Sequence, residues 1–203
     1  MCYQVKKTFA IISIILIEVI CIQLANSRIH DKYKELQVNN KYIISINKKI
    51  SSDIKCFPVS MQYQDSIYYE DSFGAYRENG GHEGCDIMYD ANTAGIVPVI
   101  SATDGKVTNL GWLYLGGYRV GITSENGIYY YYAHFDSCAP SLFVGKEVKA
   151  GEFLGFMGDS GVGEEGTKGK FPVHLHFGIY VEDENGNEKS VNPYHFLLKI
   201  NKD

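Results

Sequence analysis

The stretch Phe171-Pro172-Val173-His174-Leu175-His176-Phe177-Gly178-Ile179-Tyr180 decides the fold and places two histidines inside it. Most of its positions are apolar and either β-branched or aromatic, which is typical of a buried strand. Side chains of a strand alternate between its two faces, so His174 and His176 point the same way. A pair of hydrogen-bonded core histidines is one interpretation. A metal site with at least one of them as a ligand is the other.

Short apolar runs follow one another after residue 84, each bounded by Gly, Asp or Asn. The joins include Asp104-Gly105, Gly116-Gly117 and Asn126-Gly127, which indicate tight turns or hairpins. No helical period separates the runs, so we predict an all-β protein with an antiparallel sandwich or barrel-like core and a short helical turn at its end. The predicted strands are Cys85–Tyr89, Ile96–Ala102, Lys106–Leu110, Arg119–Thr123, Ile128–His134, Phe153–Met157 and Val173–Glu182.

The N-terminus has the features of an export signal. Lys6 and Lys7 precede an apolar run, Phe9 to Ile22, that only Glu18 interrupts. We therefore predict an N-terminal helix over residues 1–27, acting either as a cleaved signal peptide or as a retained membrane anchor. The rest of the protein is then extracytoplasmic, either membrane-anchored or secreted to the cell wall.

Residues 28–57 are polar, rich in Lys, Asn and Ile, and show no strong period. We interpret them as a tether or lead-in, for which helix and strand both stay open, as does an inhibitory position over the cleft. The domain proper is predicted over residues 58–203.

Composition narrows the classes of partner. The net charge of −5 argues against a sequence-independent polyanion binder, so no nucleic-acid partner is expected. Three of the five cysteines, Cys56, Cys85 and Cys138, lie beyond the N-terminal segment and form no CxxC pair. A thiolate zinc site is therefore not expected, whereas the disulfide state stays open.

Four of the six histidines lie where predicted strands begin or end: His82, His134, His174 and His176. In His82-Glu83-Gly84-Cys85-Asp86 a turn at Gly84 brings the imidazole and the carboxylate together. Two imidazoles and one carboxylate form a tetrahedral zinc site with one position open for water. Calcium and magnesium prefer shells made of oxygen atoms alone, so the set favours zinc.

Three other motifs in the sequence would indicate a zincin, a dinucleotide-binding site or a cupin, and neighbouring residues argue against each. His82-Glu83 begins like His-Glu-x-x-His, but position 86 is Asp, which excludes a helical zincin. Gly161 to Gly166 matches G-x-G-x-x-G, but its two glutamates would repel a pyrophosphate and a strand follows, so we predict a loop at the rim of the cleft. Cupins also carry His-x-His, but Glu182 lies too far away to complete such a site.

Tyrosine fills four consecutive positions, Tyr129 to Tyr132. Because strand side chains alternate, two of the rings are expected in the core. The other two are expected outside, in a position to line a groove.

Taken in order, His-x-x-x-Asp from residue 82, Tyr132-Ala133-His134 and His174-Leu175-His176 resemble the M23 peptidases. These are the lysostaphin-like, or LytM-type, zinc endopeptidases of bacterial cell walls. The resemblance extends from Tyr69 to Leu197. Further segments that carry it are Asp71–Gly74, Val99–Gly105, Val144–Gly151 and Leu154–Gly161.

The resemblance implies roles for five residues. It makes His82, Asp86 and His176 the zinc ligands, and His134 and His174 the catalytic histidines that do not bind metal. The residues alone leave open which of His174 and His176 is the ligand, and only the family pattern decides it.

The resemblance also implies a function. It is that of an exported zinc metalloendopeptidase that hydrolyses peptide bonds in peptidoglycan stems or cross-bridges through a zinc-activated water. The two histidines handle the proton, and Tyr76 resembles a tyrosine that steadies the oxyanion in some members. The alternative is a catalytically idle LytM-like scaffold or regulator that binds a partner in a cell-envelope or sporulation complex. All five positions are filled, which favours the hydrolase.

Overall fold

The protein is described here by a computed structural model that covers residues 2–77, 80–183 and 186–200. Within the first range, the side chains of residues 2–19 and of residue 35 are outside the description. The predicted signal peptide or anchor, residues 1–27, therefore falls largely on side chains that are not described. The chain divides into two compact units, residues 1–47 and residues 48–203.

The first unit is helical and belongs to helix α1 (Cys2–Asp53). Its described side chains are mostly exposed. Of the two conformations left open for the predicted tether, the helix is the one observed as far as Asp53. None of the helices in the described part of the chain is long and apolar enough to cross a membrane.

The second unit is built almost entirely from antiparallel strands, which confirms the predicted fold class. A 3-10 helix (Met61–Ser66) precedes the strands, and helix α2 (Tyr194–Ile200) follows them, where a helical turn was predicted. The strands in the described residues are β1 (Ile67–Tyr69), β2 (Tyr76–Arg77), β3 (Gly80–Gly81), β4 (Cys85–Tyr89), β5 (Pro98–Ile100), β6 (Gly105–Leu113), β7 (Gly117–Thr123), β8 (Tyr129–Cys138), β9 (Glu147–Val148), β10 (Phe153–Met157), β11 (His174–Glu182) and β12 (Glu188–Val191).

Strand β11, the stretch with the two histidines, lies within the larger sheet rather than at its edge. The strand order is β1-β4-β11-β8-β7-β6-β9; in addition β12 pairs with β11, and β10 pairs with β8 and β5. Strands β2 and β3 form a separate two-stranded sheet. Two of the three strands that pair with β11 thus carry residues of the predicted site, Asp86 on β4 and His134 on β8.

Alternation on β11 separates the core from the face that carries the chemistry. Leu175, Phe177 and Ile179 are fully buried. The alternate positions, including His174 and His176, lie on the opposite face of the strand. Burial of the three apolar side chains fixes the register, because a shift by one residue would move both histidines into the core.

Strand β8 divides its tyrosines as predicted. Tyr130 and Tyr132 are fully buried, whereas Tyr129 and Tyr131 are half-buried on the face shared with the histidines. The hydroxyl oxygen of the buried Tyr132 accepts a hydrogen bond from the backbone N–H of Ala102 at 2.9 Å. Among the described side chains, the cysteines Cys21, Cys56, Cys85 and Cys138 are free thiols.

Candidate metal centre and active site

Strand register brings two of the three predicted ligands, Asp86 and His176, together. In β11, His176 lies directly opposite Asp86 of β4 on one side and Ala133 of β8 on the other. Cβ atoms of directly opposed residues in an antiparallel pair are about 4.5–5.5 Å apart. The sheet therefore positions the imidazole beside the carboxylate, with His134 one residue beyond Ala133.

His82 reaches the same place from the bend before β4, and Gly84 makes this approach possible. A Cβ atom at residue 84 would lie 2.6 Å from Cε1 and Nε2 of His176 and 2.7 Å from the carbonyl oxygen of Phe177. Any side chain there would displace the His176 ring. The turn predicted at Gly84 is present, and close packing against His176 explains why the position is glycine.

Three side-chain atoms converge to form a nearly equilateral triangle. His82 Nε2 lies 3.0 Å from Asp86 Oδ1 and 3.0 Å from His176 Nδ1, and the last two atoms are 2.9 Å apart. The exposed fractions of these side chains are only 5%, 14% and 14%. The three residues form the one group among the described residues whose ligand atoms are placed to hold a metal ion.

The protonation state of these atoms fits a cation at the triangle. His82 Nδ1 donates a hydrogen bond to the carbonyl oxygen of Ser72 at 3.0 Å, so in the neutral ring the lone pair is on Nε2. Burial alone would raise the pKa of Asp86, but hydrogen bonds with His176 and His82 hold this pKa well below its ordinary value. The carboxylate is thus ionised. These hydrogen bonds need an N–H on each imidazole, and a metal ion at the triangle would replace those two protons and meet the nitrogen lone pairs.

Lone pairs at this spacing repel one another unless a cation lies between them. Zinc binds imidazole nitrogen and carboxylate oxygen at about 2.0–2.2 Å, so three atoms 3 Å apart can share one ion. Two nitrogens and one oxygen also match the donor preference of zinc rather than that of calcium or magnesium. The residues present therefore fit the predicted cofactor.

Arg77 holds the second oxygen of the predicted carboxylate ligand. Its Nη2 donates to Asp86 Oδ2 at 2.7 Å, which leaves Oδ1 directed at His82 and His176. Arg77 was not predicted from the sequence. No sequence motif indicates Arg77, because its contact with Asp86 joins the separate β2–β3 hairpin to β4.

The two predicted catalytic histidines lie next to the triangle with matching tautomers. Nδ1 of His134 donates to the carbonyl oxygen of Ser160 at 2.8 Å, and Nδ1 of His174 donates to that of Pro172 at 2.7 Å. The Nε2 atom of each neutral ring therefore carries the lone pair. The two rings are 4.7 Å apart between centroids, and His174 Nε2 lies 3.7 Å from Asp86 Oδ1.

Burial keeps both of these histidines neutral. It lowers the pKa of His134 to about 3, with the neighbouring His174 and His176 acting in the same direction. Burial also lowers the pKa of His174, although the Asp86 carboxylate opposes this effect. Near neutral pH both rings are therefore proton acceptors at Nε2.

An irregularity in the pairing of β7 with β8 turns the His134 side chain toward the face that carries His174 and His176. Strict alternation after Tyr132 would place His134 on the core side of β8. Instead its φ is +66°, its N–H donates to the carbonyl oxygen of Gly116 at 2.8 Å, and the β7–β8 register shifts between Tyr118 and Val120. Such irregularities re-aim side chains and are frequent beside active sites.

Tyr76, the remaining predicted site residue, is not among the residues that contact one another in this cluster. It lies on β2 opposite Gly81, and its side chain is 90% exposed. The structure thus brings five of the six predicted residues together and places Tyr76 at the surface near His82.

Comparison with known proteins agrees with this geometry. The model of peptidase family M23 matches residues 80–193, a span that includes the triangle and both neighbouring histidines. The chain belongs to peptidase family M23. The resemblance stated from the motifs is thereby confirmed, and the antiparallel core is the fold of this family.

Three M23 relatives show how far the similarity extends. The chain is 39% identical over 144 residues to the L-Ala–D-Glu endopeptidase of Bacillus subtilis, covering 70% of this chain and 42% of that protein. A LytM crystal structure from Ruminococcus gnavus is 52% identical with a TM-score of 0.69, covering 74% of this chain and 62% of that one. The catalytic domain of lysostaphin from Staphylococcus simulans is 26% identical with a TM-score of 0.52, covering 69% and 98%. The chain thus spans less than two thirds of the length of the first two.

Proposed function

We propose that this protein is an exported zinc metalloendopeptidase that hydrolyses peptide bonds in peptidoglycan stems or cross-bridges. His82, Asp86 and His176 are the proposed zinc ligands, and His134 and His174 the proposed catalytic histidines. The observation that carries the proposal is the meeting of three ligand atoms at 2.9–3.0 Å beside two neutral imidazoles. Similarity to the L-Ala–D-Glu endopeptidase supports a wall-peptide substrate.

The chemistry follows from the state of each group. Zinc in this site would activate water near neutral pH and polarise the scissile carbonyl. His134 and His174 are neutral and have their Nδ1–H groups held by carbonyl oxygens, so Nε2 can accept the proton of the attacking water. The same nitrogen can then deliver that proton to the leaving amine.

The role of Tyr76 stays a prediction. To steady an oxyanion, its hydroxyl would have to turn from the exposed position toward the scissile carbonyl when substrate binds. Tyr76→Phe removes only the hydroxyl. If the role is correct, this variant lowers kcat more than it raises KM.

A location outside the cytoplasmic membrane is also part of the proposal, because peptidoglycan is found there and Lys6, Lys7 and the apolar run fit an export signal. A catalytically idle scaffold with an envelope partner would not need the two additional neutral histidines. A zinc-stabilised domain without hydrolysis would need His82, Asp86 and His176 alone.

The deciding experiment measures zinc content and digestion of purified peptidoglycan on the same samples. It compares the unaltered chain with His176→Ala, His134→Ala and the control His195→Ala, which changes a histidine on α2 outside the cluster. We expect one zinc per chain, lost in His176→Ala but kept in His134→Ala, and digestion lost in both. The control keeps both properties.

Two outcomes would contradict the proposal. Bound zinc without cleavage of peptidoglycan in the unaltered chain would favour the scaffold. Absence of zinc from a correctly folded chain would contradict the metal centre itself.

A further inference from the structure

A groove of about 570 Å³ lies beside the histidine cluster, on the same face of the sheet. Gly116, whose carbonyl oxygen accepts the N–H of His134, is one of its walls, and Tyr131 is another. The Tyr131 ring lies 5.9 Å from that of His176. A peptide bound across the cluster would therefore continue into this groove.

Three tyrosines line the groove as a connected aromatic surface. Ring centroids of Tyr129, Tyr131 and Tyr180 are 6.0–6.4 Å apart in each pair. Glycines on β7 and in the turn before it let two of these rings lie flat on the sheet. A Cβ at Gly116 would be 2.1 Å from Tyr131 Oη, and one at Gly121 would be 2.2 Å from Tyr129 Oη.

Arg119 lies on β7 beside this aromatic surface. Its Nε and Nη1 atoms are buried and have no hydrogen-bond partner in the described part of the chain. Arg119 nevertheless lines the groove together with the tyrosines. A shielded guanidinium without an acceptor is costly, so the position favours a ligand that supplies one.

A carboxylate is the group that best supplies the hydrogen-bond acceptor that Arg119 lacks among the described residues. The planar guanidinium pairs with a carboxylate through two parallel hydrogen bonds, and a partly buried site strengthens them. Burial raises the pKa of Tyr131 to about 12 although Arg119 opposes this, so the neighbouring hydroxyl stays protonated and can also donate. Glu83 and Glu188 line the same groove, so an anion is attracted by direct contact with Arg119 and not by the overall charge.

We infer that Arg119 and the tyrosines of this groove bind a free carboxylate of the substrate peptide. Given the ring spacings and about 3.3–3.6 Å per extended residue, this carboxylate lies within about three residues of the scissile bond. A glutamyl residue linked through either of its carboxyls keeps the other free, and a peptide C-terminus offers a second source. The inference rests on the proposed endopeptidase function and makes Arg119 a determinant of its specificity.

The test uses the zinc-loaded full chain and four forms of the peptide L-Ala-γ-D-Glu-L-Lys. The α-carboxyl of the glutamyl residue is free or amidated, and the C-terminus is independently free or amidated. Activity against each form is compared for the unaltered chain, Arg119→Gln, Arg119→Lys and the control Arg28→Gln, whose arginine lies on α1. Zinc content and circular dichroism check that each variant is folded.

We expect the unaltered chain and Arg28→Gln to prefer one free carboxylate over its amide by about 10- to 100-fold in kcat/KM, in line with a charge-assisted hydrogen bond. Arg119→Gln brings that ratio close to one, and Arg119→Lys keeps part of it. The form that shows the preference identifies the source of the carboxylate. Equal cleavage of all forms by the unaltered chain, or an unchanged ratio in Arg119→Gln, overturns the inference.

A binding measurement decides the matter if the protein cleaves none of the peptides. The chain has three arginines, so their ¹⁵Nε–H signals are few and Arg119→Lys assigns the relevant one. Titration with γ-D-glutamyl-lysine should shift this signal when the free carboxylate is present and leave it in place with the amides. No shift with any carboxylate form overturns the inference independently of catalysis.

Discussion

At the scale of single residues, backbone carbonyl groups decide what the histidines can do. His82, His134 and His174 each donate Nδ1–H to a carbonyl oxygen, those of Ser72, Ser160 and Pro172. Only His176 approaches the triangle through Nδ1. A carbonyl oxygen accepts and never donates, so these contacts fix the tautomers without any acidic side chain.

Arg77 offers a test of how the carboxylate ligand is oriented. We expect Arg77→Ala to weaken zinc affinity by about 10- to 100-fold, the usual effect of losing a group that orients a ligand. The physical reason is that Asp86 Oδ2 loses its partner at 2.7 Å and the carboxylate can rotate. Competition with a zinc chelator measures the change.

Lys55→Ala is the matched control. Lys55 also makes a 2.7 Å ion pair with an aspartate, Asp104, and its side chain is 52% exposed, as is that of Arg77. This variant should keep the zinc affinity unchanged. Equal affinity in Arg77→Ala would mean that Oδ2 needs no partner.

The low pKa of His134 predicts an acid-sensitive fold. Its folded-state pKa of about 3 lies below the ordinary value of 6.5, so between these values the unfolded chain binds a proton that the folded chain does not. The free energy of unfolding therefore falls as the pH decreases through this window, by about 1.4 kcal/mol per pH unit from this group. His134→Gln should make the dependence shallower, as measured by urea unfolding of zinc-free protein from pH 4 to pH 7.

His30→Gln is the control for this measurement, because His30 is exposed on α1. It should leave the pH dependence as it is. If His134→Gln and the unaltered chain show the same slope, His134 does not carry the effect.

Residue-level prediction succeeded where spacing along the chain carries the information. His174 and His176 are two apart on a strand, and His82 and Asp86 flank a glycine bend, so proximity within each pair could be predicted from spacing. The assignment of both pairs to one site rested on the resemblance to the M23 peptidases. The Arg77 contact and the carbonyl acceptors could not, because they depend on loops that meet only after the sheet has formed.

At the scale of elements, the bend before β4 delivers His82 only if residue 84 has no side chain. Gly84→Ala would place a Cβ 2.6 Å from the His176 ring and 2.7 Å from the backbone of Phe177. Since the backbone atom cannot move aside easily, we expect the His176 ring to shift and zinc binding to fall at least tenfold. Zinc titration of the folded variant measures this.

Gly81→Ala, on β3 three residues before Gly84, is the matched control. A Cβ there meets its nearest atoms only at 3.9–4.0 Å, and Gly81 has no positive φ. Zinc binding should persist in this variant. Normal zinc binding in Gly84→Ala would show that the bend adapts to a side chain.

The end of α1 is joined to the β7–β8 turn by a buried carboxylate. Asp53 accepts hydrogen bonds from Ser124 Oγ at 2.5 Å, Asn126 Nδ2 at 2.6 Å and Tyr130 Oη at 3.2 Å. Asp53→Ala leaves these donors without an acceptor. We expect it to lower the free energy of unfolding by about 2–4 kcal/mol, as measured by denaturant titration.

Asp31→Ala, on an exposed part of the same helix, is the control and should change the stability by less than about 0.5 kcal/mol. A similarly small effect of Asp53→Ala would mean that water replaces the lost acceptor.

The ends of strands were predicted best where residues such as Gly84, Asp90 and Gly158 interrupt the apolar pattern on either side. The predicted strands Cys85–Tyr89 and Phe153–Met157 coincide with β4 and β10. The predicted strand ending at His134 is shorter than β8, which continues to Cys138. The left-handed backbone at His134 interrupts the alternation there, and no feature of the local sequence indicates such a bulge.

At the scale of the whole molecule, the unit that carries the site includes the last turn of α1. The unit begins at residue 48, whereas the boundary predicted from composition lies at residue 58. Ile50, Asp53, Ile54 and Phe57 are all buried in that unit. Composition averaged over residues 28–57 hides these four positions, because most of the segment is exposed.

Two fragments would test which boundary the fold requires. Residues 48–203 keep the buried side chains, so we expect this fragment to bind zinc and to unfold at the same denaturant concentration as the full chain. Residues 58–203 lose the burial of Ile50, Ile54 and Phe57, each worth about 1.5–3 kcal/mol, together with the acceptor for Tyr130. That loss is comparable with the total stability of an ordinary domain, about 5–15 kcal/mol, so the shorter fragment should be largely unfolded without zinc. Equal stability of the two fragments would instead favour the boundary at residue 58 and make residues 48–57 part of the tether.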